Sequence, residues 1–338
     1  MGGIFTISLD FELHWGLLDI IDRKSRIACY QNTLQAIPEM LKLFVQYDVH
    51  VTWAVVGSMF AKDQKEWEGL KPAVQPDYVN EKLSPYKWVE ENGLPNEYEF
   101  AHFAPKTIKT ILNYSGQETG THTFSHYYCL APLKGQEAFS EDLNAAKQAA
   151  AKFNIQLRSF VFPRNQFNPK YLKTCYDAGI RAVRTNSPVW YWKKSAGLPE
   201  RIIKKITRTA NDYVTIGERI SYSLKTIKIT EAEPLQLPRG RALEPWMPKK
   251  SINNKLRLRK VIKELHDAAI HDECYHLWWH PESFGDYPEE NLNRLRIILE
   301  QYKACKERYG MKSWNMGEYA DNLIGEDIKA TELSESVA

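Results

Sequence analysis

The alternation of strand-type and helix-type segments constrains the fold more than any other feature of this sequence. Residues 4–9 form a short apolar, β-branched run, residues 32–47 carry apolar side chains at helical spacing, and residues 49–56 again have strand character. Together they predict a β-α-β unit. A chain that continues in this way folds around a parallel sheet. The pattern alone leaves open whether that sheet is flat and open or closed into a barrel.

The alternation persists to the end of the chain. Further strands are predicted at 118–122, 159–162, 181–184, 274–279 and 312–315. Helices are predicted at 106–113, 139–153 with Ser140 as its cap, 168–179, 252–271 and 291–309. Residues 62–104 and 193–250 interrupt the pattern and are expected to be insertions. We therefore predict one catalytic domain over residues 1–324 and a polar tail over 325–338.

The overall composition excludes few functions, but the charge is unevenly distributed. A net charge of +3 over 338 residues gives no reason to expect nucleic acid or a membrane as a partner. Residues 193–263, however, contain 18 Lys or Arg and only 6 Asp or Glu. This basic segment is either a solvated insertion or a surface that receives an anionic substrate, such as a nucleotide sugar or a glycan linked to a lipid diphosphate.

The cysteines and the apolar runs bear on the compartment. Five scattered cysteines without a CxxC pair favour neither a disulfide framework nor a thiolate metal site, which fits a reducing environment. No run approaches the length of a membrane span, and no secretory leader is recognisable at the N-terminus. A cytoplasmic location is therefore expected. The oligomeric state cannot be predicted from these features.

The segment ETGTHTFSHYY places His122 and His126 four residues apart, between a predicted strand and the next helix. Two imidazoles at this spacing can bind one ion from a single turn or tight loop. Ordinary histidines that only form hydrogen bonds would show the same spacing. A metal site would need a third ligand from elsewhere in the chain.

Asp10 and Glu12 follow the first strand in the segment SLDFELHW. Side chains at i and i+2 of a strand share a face, so both carboxylates can enter one site unless the strand end is simply exposed. One carboxylate would complete a site of two histidines and one acid with a position left open. The other would then be available as a base.

Two more strand ends carry polar residues. RSFVFPRNQ supplies Arg164, which can hold a catalytic carboxylate ionised or pair with a surface acid, and Asn165, which can face a substrate. YHLWWHP ends an apolar strand in His280, which suits a general acid but also fits a structural histidine. Nearby aromatic residues can stack on sugar faces, although most such residues belong to a core; they are Trp15, Tyr127, Trp278 and Trp279.

These stretches, in this order, resemble the polysaccharide deacetylase family, also called carbohydrate esterase family 4 or the NodB-homology domain. The resemblance spans residues 4–323. Its most specific part is the second motif of the family, a Glu-x-Gly followed by H(S/T)xxH, which is matched here by Glu118, Gly120, His122, Thr123 and His126. The first motif differs, because the family usually has two adjacent Asp residues where this chain has Asp10, Phe11 and Glu12.

The resemblance implies a distorted (β/α) barrel of the TIM type and a metal-dependent hydrolase. By that resemblance Asp10 is the base, His122 and His126 are metal ligands, Arg164 steadies the base and His280 is the acid. Glu12 is the candidate third ligand. Asn165, Trp15 and Trp279 are the candidate substrate contacts. The expected cofactor is a divalent metal. Zn²⁺ is the first candidate, and Co²⁺, Ni²⁺ and Mn²⁺ are the alternatives.

The predicted reaction is removal of an N-acetyl group from an amino sugar in a glycan or its activated precursor. One alternative is a related barrel that hydrolyses another amide, such as a formamido sugar or a cyclic ureide. A second alternative, prompted by Phe11 in the first motif, is a glycan-binding protein without catalytic activity.

Overall fold

The computed structural model describes residues 2–131, 135–192, 198–211, 213, 217 and 219–324. The strands are β1 Ile4–Phe11, β2 Val51–Val55, β3 Gln117–Thr121, β4 Ser159–Val161, β5 Ala182–Thr185, β6 Leu235–Pro238, β7 Arg241–Ala242, β8 Cys274–Trp279 and β9 Lys312–Ser313. The helices are α1 Ile27–Gln46, α2 Gln64–Leu70, α3 Pro85–Asn92, α4 Glu99–His102, α5 Pro105–Leu112, α6 Gln136–Ala151, α7 Leu172–Asp177, α8 Leu198–Asn211, α9 Ser251–His271 and α10 Pro288–Tyr309. Residues 316–324 are also helical.

The strands form one curled parallel sheet in the order β6-β5-β4-β3-β2-β1-β8-β7, with β9 beside β1. The two edge strands, β6 and β7, follow each other in the chain and are separated only by Arg239 and Gly240. Arg239 donates its backbone N–H to Thr185 on the β5 side, and Arg241 pairs with Leu277 on the β8 side. A single stretch of chain therefore joins both edges. The predicted distorted (β/α) barrel is confirmed.

The two faces of β1 show how the barrel is built. Its odd-numbered residues are apolar and pack under the surrounding helices; they are Phe5, Ile7, Leu9 and Phe11. Its even-numbered residues point into the barrel, where Thr6 meets Tyr319 and Ser8 meets His276 at 2.6 and 2.8 Å between their polar atoms. Burial of each large apolar side chain stabilises the fold by roughly 1.5–3 kcal/mol. The barrel interior therefore carries polar residues beside a second, smaller apolar cluster that includes Ile4 and Met316, and the helix layer carries the main core.

The predicted secondary structure agrees with the structure in most places. The strand at residues 274–279 has the predicted bounds, and the other predicted strands shift by one or two residues. Ser140 was wrongly predicted as a cap, because α6 begins four residues earlier and Ser140 lies inside it. Residues 62–104 form the short helices α2, α3 and α4 between β2 and α5. Residues 193–250, expected to be an insertion, supply β6 and β7 to the sheet.

The predicted tail at 325–338 lies outside the described residues. Among the helices that the structure describes, none is both long and apolar enough to cross a membrane.

One ion pair near the end of the chain predicts a pH-dependent contribution to stability. His50 Nδ1 lies 2.7 and 2.9 Å from the carboxylate oxygens of Glu318, which lies in the helical stretch 316–324 that closes one end of the barrel. This hydrogen bond raises the pKa of His50 above its ordinary value of 6.5. The folded protein therefore holds the proton more tightly than the unfolded chain does. The added stability is complete below about pH 6.5 and is lost as the pH rises through the raised pKa.

We expect Glu318→Gln to remove this pH-dependent part. Urea unfolding between about pH 5 and 9 should show a stability deficit in the variant that is largest at low pH and shrinks at high pH. Glu307→Gln, which breaks only an exposed pair with Lys303, is the control. A deficit that is constant across this range would contradict the assignment.

Candidate active site

The polar residues predicted at separate strand ends meet at one end of the barrel. Asp10 lies in β1 and Glu12 directly follows it, His122 and His126 follow β3, and His280 follows β8. The first four side chains are almost fully buried, whereas the side chain of His280 is 43% exposed. Carboxyl ends of parallel strands lie on the same edge of a sheet, which explains this convergence. His280 forms the solvent-facing side of the site.

Glu12, His122 and His126 form a group with the geometry of a metal site. One potential ligand atom from each lies within 4.8 Å of the others. Glu12 Oε2 lies 3.3 Å from His122 Nε2 and 3.1 Å from His126 Nε2, and these three buried atoms have no hydrogen-bond partner in the described structure. His122 Nδ1 lies 2.8 Å from the carbonyl oxygen of Val161 and donates to it, which leaves the Nε2 lone pair directed toward Glu12.

The ionisation of these groups also suits a cation. Burial would raise the pKa of Glu12, but His280 and His126 hold it well below its ordinary value. Burial lowers the pKa of His126, which favours the neutral imidazole that can bind a metal. Three buried, unpartnered lone pairs on two nitrogens and one oxygen fit a divalent metal such as zinc.

Gly16 makes room for the longer acid at position 12. A Cβ atom at residue 16 would lie 1.9 Å from Glu12 Oε1 and 2.2 Å from its Cδ. A side chain at residue 16 would displace the Glu12 carboxylate from this position. Glu12 therefore reaches the two histidines because a glycine follows it four residues later.

Arg184, and not Arg164, is the partner of Asp10. Arg184 Nη1 and Nη2 donate to the two carboxylate oxygens of Asp10, both at 2.6 Å, and both side chains are almost fully buried. The same guanidinium donates to Ser8 Oγ at 2.9 Å and to Asn165 Oδ1 at 3.1 Å. Burial by itself would raise the pKa of Asp10, but the charge of Arg184 lowers it below its ordinary value. Asp10 is thus held ionised.

Arg164 lies at the rim of the site, so its predicted contact with the base is wrong. Its Nη2 pairs with Asp19 at 2.5 Å and donates to the carbonyl of Gly16 at 3.2 Å. Its guanidinium lies 4.9 Å from the centre of the Tyr128 ring. Arg164 thereby joins the loop after β4 to the loop after β1.

His280 lies between the two acids. Its Nε2 is 3.6 Å from Glu12 Oε1 and 3.9 Å from Asp10 Oδ2. Burial would lower the pKa of His280, but the two carboxylates raise it above its ordinary value. The protonated imidazole is favoured, as a general acid requires.

Two predicted substrate contacts are excluded by burial. Trp15 is 1% exposed, stacks on Trp67 and donates its indole N–H to the carbonyl of His102 at 2.8 Å. Trp279 is 1% exposed and stacks on Phe284. Both belong to the core. Trp278, on the inner face of β8, is the tryptophan that faces the site, with Arg184 4.7 Å from its ring centre.

The loops that carry the site contain a concentration of strained backbone. Five of their residues are non-glycine positions with positive φ, namely Leu13, Thr123, His126, Arg164 and Asn165. Such conformations cost of order 1–3 kcal/mol each and persist where surrounding contacts enforce them.

Two buried acids that the sequence analysis missed hold these loops. Glu282 accepts hydrogen bonds from the backbone N–H groups of Glu12 and Leu13, and burial raises the pKa of Glu282 to about 7. Asp142, on α6, accepts from the N–H groups of Phe124 and Ser125, and burial raises its pKa to about 6. Asp142 could have been predicted as a buried acid from the sequence, because it lies three residues after Phe139 on the apolar face of its helix. Glu282 could have been predicted to lie near the site, because it follows His280 by two residues.

The sequence and the fold were compared with known proteins. Residues 29–183 match the family described as polysaccharide deacetylase. The predicted resemblance is confirmed. The matched residues include both histidines, whereas Asp10, Glu12 and His280 lie outside them. A comparison with curated proteins found no match.

Several solved structures share the fold. A protein from Mycobacterium smegmatis, described as a polysaccharide deacetylase, is 13% identical with a TM-score of 0.58, covering 97% of this chain and 92% of that one. A second, described in the same way, from Pseudomonas aeruginosa PAO1, is 9% identical with a TM-score of 0.57 and coverages of 95% and 90%. PuuE allantoinase is also 9% identical, with a TM-score of 0.56 and coverages of 95% and 89%.

The two arginines can be distinguished by their effect on stability. Arg184→Gln leaves Asp10 buried without its counter-charge, so we expect the free energy of unfolding to fall by about 3–5 kcal/mol. Arg164→Gln breaks a pair in which Arg164 is 30% exposed, and the loss should be about 1 kcal/mol or less. Urea unfolding of both variants measures the difference. Equal losses would mean that Arg184 is not the main partner of Asp10.

Proposed function

We propose that this protein is a metal-dependent hydrolase that removes the N-acetyl group from an amino sugar in a glycan or its precursor. The observation that carries the proposal is the convergence of Glu12, His122 and His126, with Asp10 and His280 directly beside them. The match to the polysaccharide deacetylase family supports an amide of an acetylated sugar as the substrate.

Glu12, His122 and His126 would hold the metal. When bound, a divalent metal supplies Lewis acidity that polarises the amide carbonyl and makes hydroxide available from water near neutral pH. Asp10, kept ionised by Arg184, accepts the proton of the attacking water. His280, on the exposed side of the site, donates a proton to the departing amine, which would otherwise be a poor leaving group.

Asn165 acts on this chemistry through Arg184. Its Oδ1 accepts from the guanidinium, and its backbone N–H already donates to the carbonyl of Phe162 at 2.9 Å. That N–H is therefore not free to stabilise an oxyanion. We propose that Asn165 helps to hold Arg184 against Asp10 and that only its amide NH₂ remains for a substrate.

Loss of one ligand should weaken metal binding. The wild type should bind about one equivalent of a divalent metal, and Glu12→Gln should reduce the affinity by more than the roughly 10–100-fold that changes in supporting residues cause. Chelator competition with zinc, cobalt, nickel and manganese measures both quantities and identifies the preferred metal. The exposed Glu97→Gln is the control. Wild-type protein that binds none of these metals would refute the proposal.

Loss of the acid should reduce turnover more than binding. With the metal-loaded protein and a panel of N-acetylated sugars, His280→Ala should lower kcat by about 10²–10⁴-fold and leave KM nearly unchanged. Acetate release is the readout, and the exposed His271→Ala is the control. Unchanged turnover in His280→Ala would show that His280 is not the general acid. Formate release, or hydrolysis of a cyclic ureide without acetate release, would select the alternative amide substrates.

A further inference from the structure

A cavity lies beside Trp278, which forms part of its wall. Its volume is about 150 Å³, many times the roughly 10–15 Å³ that one water molecule needs. It is formed where the barrel closes, between α8 and the segment that joins β6 to β7. The charged and aromatic residues of its wall are Trp192, Arg208, Arg239, Arg241, Glu244 and Trp278.

Two of the arginines, Arg208 and Arg239, have no carboxylate partner among the residues that the structure describes. They lie on the ring of Trp192, with their guanidinium carbons 5.1 and 4.7 Å from its centre. Arg239 also lies 5.5 Å from the centre of Trp278. Arg208 donates only to the carbonyl of Lys204, at 3.2 Å, among its described contacts. Both guanidiniums thus retain donors for a ligand.

Of the other charged residues of the wall, Arg241 is paired. It binds both carboxylate oxygens of Glu264, at 2.5 and 2.6 Å. Glu244 acts electrostatically on Arg294, which donates to the backbone carbonyl oxygen of Glu244 at 2.9 Å, but the carboxylate of Glu244 has no ion pair among the described residues. Arg208 and Arg239 outnumber this one unpaired carboxylate on the described wall, so the cavity keeps a net positive charge.

The local excess of donors extends beyond the guanidiniums. The buried indole N–H groups of Trp192 and Trp278 have no acceptor in the described structure. Burial, together with repulsion from Arg184 and Arg208, lowers the pKa of Arg239 to about 10. Arg239 remains protonated at neutral pH. The charge of Asp10 acts in the opposite direction and raises the pKa of Arg239, but both carboxylate oxygens of Asp10 are already bound by Arg184. An anion in the cavity would relieve this repulsion.

We propose that Arg208 and Arg239 form a subsite for a phosphoryl group carried by the sugar substrate. The subsite shares Trp278 as a wall with the catalytic site, since Arg184 lies on the Trp278 ring at 4.7 Å and Arg239 at 5.5 Å. The proposed ligand is a sugar that reaches the catalytic site while its phosphoryl group binds Arg208 and Arg239. This inference rests on the proposed sugar substrate, but binding of the anion can be measured without any turnover.

The arrangement favours a phosphoryl group over a carboxylate. One planar guanidinium fork can bind both oxygens of a carboxylate, as Arg184 does with Asp10 and Arg241 with Glu264. Two separate guanidiniums on the wall of one cavity match a group with more oxygens and more charge. Phosphate esters of sugars and diphosphate-linked sugars present the same group, and the experiment distinguishes them.

The first test is direct binding by isothermal titration calorimetry, with inorganic phosphate, pyrophosphate and glucuronate as probes. We expect wild-type protein to bind phosphate or pyrophosphate more tightly than glucuronate, and binding to weaken with added salt. Arg239→Gln and Arg208→Gln should each weaken it by roughly tenfold or more. Arg259→Gln, an exposed change of the same kind in the same basic segment, should bind as wild type does.

The binding measurements test the phosphoryl subsite independently of the proposed reaction. Absence of phosphate and pyrophosphate binding, tighter glucuronate binding, or unchanged affinity in both cavity variants would overturn the subsite. Circular dichroism establishes that each variant is folded, and if one fails to fold the other decides. Tighter binding of pyrophosphate than of phosphate would assign a diphosphate-linked sugar, and the reverse a monophosphate. Phosphate binding that persists in a protein without acetate release would retain the subsite and reject only the reaction.

For an active protein, the kinetic test compares a phosphorylated with a neutral N-acetylated sugar. Arg239→Gln should lower the ratio of their kcat/KM values by roughly tenfold or more, through the KM of the phosphorylated sugar. Arg259→Gln should leave the ratio unchanged. An unaltered ratio in Arg239→Gln would show that the reacting sugar does not reach this cavity.

Discussion

Asp10 stays ionised inside the barrel because Arg184 binds both of its carboxylate oxygens. Moving an isolated carboxylate out of water costs several kcal/mol, so a charge at this depth needs a counter-charge and good geometry. The pair also joins β1 to β5, which are separated by three strands in the sheet. One contact therefore crosses the barrel and keeps the proposed base ionised. Ser8 and Asn165 complete the environment of the guanidinium from two further segments.

The other side of the site depends on loops that are held against their own backbone preferences. Glu282 and Asp142 accept backbone hydrogen bonds beside Leu13 and Thr123, two residues with positive φ. These buried acids replace water as the acceptors for loop N–H groups, so the positions of Glu12 and His126 are fixed before any ligand binds. A site fixed in this way pays less ordering entropy when a metal or substrate arrives.

Trp278 lies beside two arginines that differ in their partners. Arg184 is neutralised by Asp10, whereas Arg239 has no ion pair with a carboxylate among the described residues. The basic segment noticed in the sequence is thus not uniform. Some of its charges, such as Arg241, are paired within the fold, whereas Arg208 and Arg239 line a cavity beside the site. The excess of basic residues in this segment therefore has more than one structural reason, which its total charge could not reveal.

The limits of sequence reasoning are clear from particular residues. His122 and His126 were found as ligand candidates because of their local spacing, and Asp10 and Glu12 because strand periodicity places both on one face. The choice of Glu12 as the third ligand came from the resemblance to the polysaccharide deacetylase family. Arg164 was predicted to steady Asp10 because it also follows a strand and matches that family, but which arginine crosses the barrel depends on strand order and register. Trp15 and Trp279 were candidate substrate contacts because they lie next to motif residues, yet whether a ring meets solvent or a neighbouring ring depends on the packing of distant segments.

The sequence by itself determined most strands and helices, the shared face of Asp10 and Glu12 and the histidine ligand candidates, because hydrophobic periodicity and short-range spacing are local properties. Only the tertiary structure decided that Arg184 holds Asp10, that Gly16 leaves space for Glu12, and that Arg208 and Arg239 share a cavity beside Trp278. Each of these facts joins residues that lie far apart in the chain or depends on side-chain packing. Burial and charge compensation act between such neighbours in space, and they are fixed only when the barrel closes.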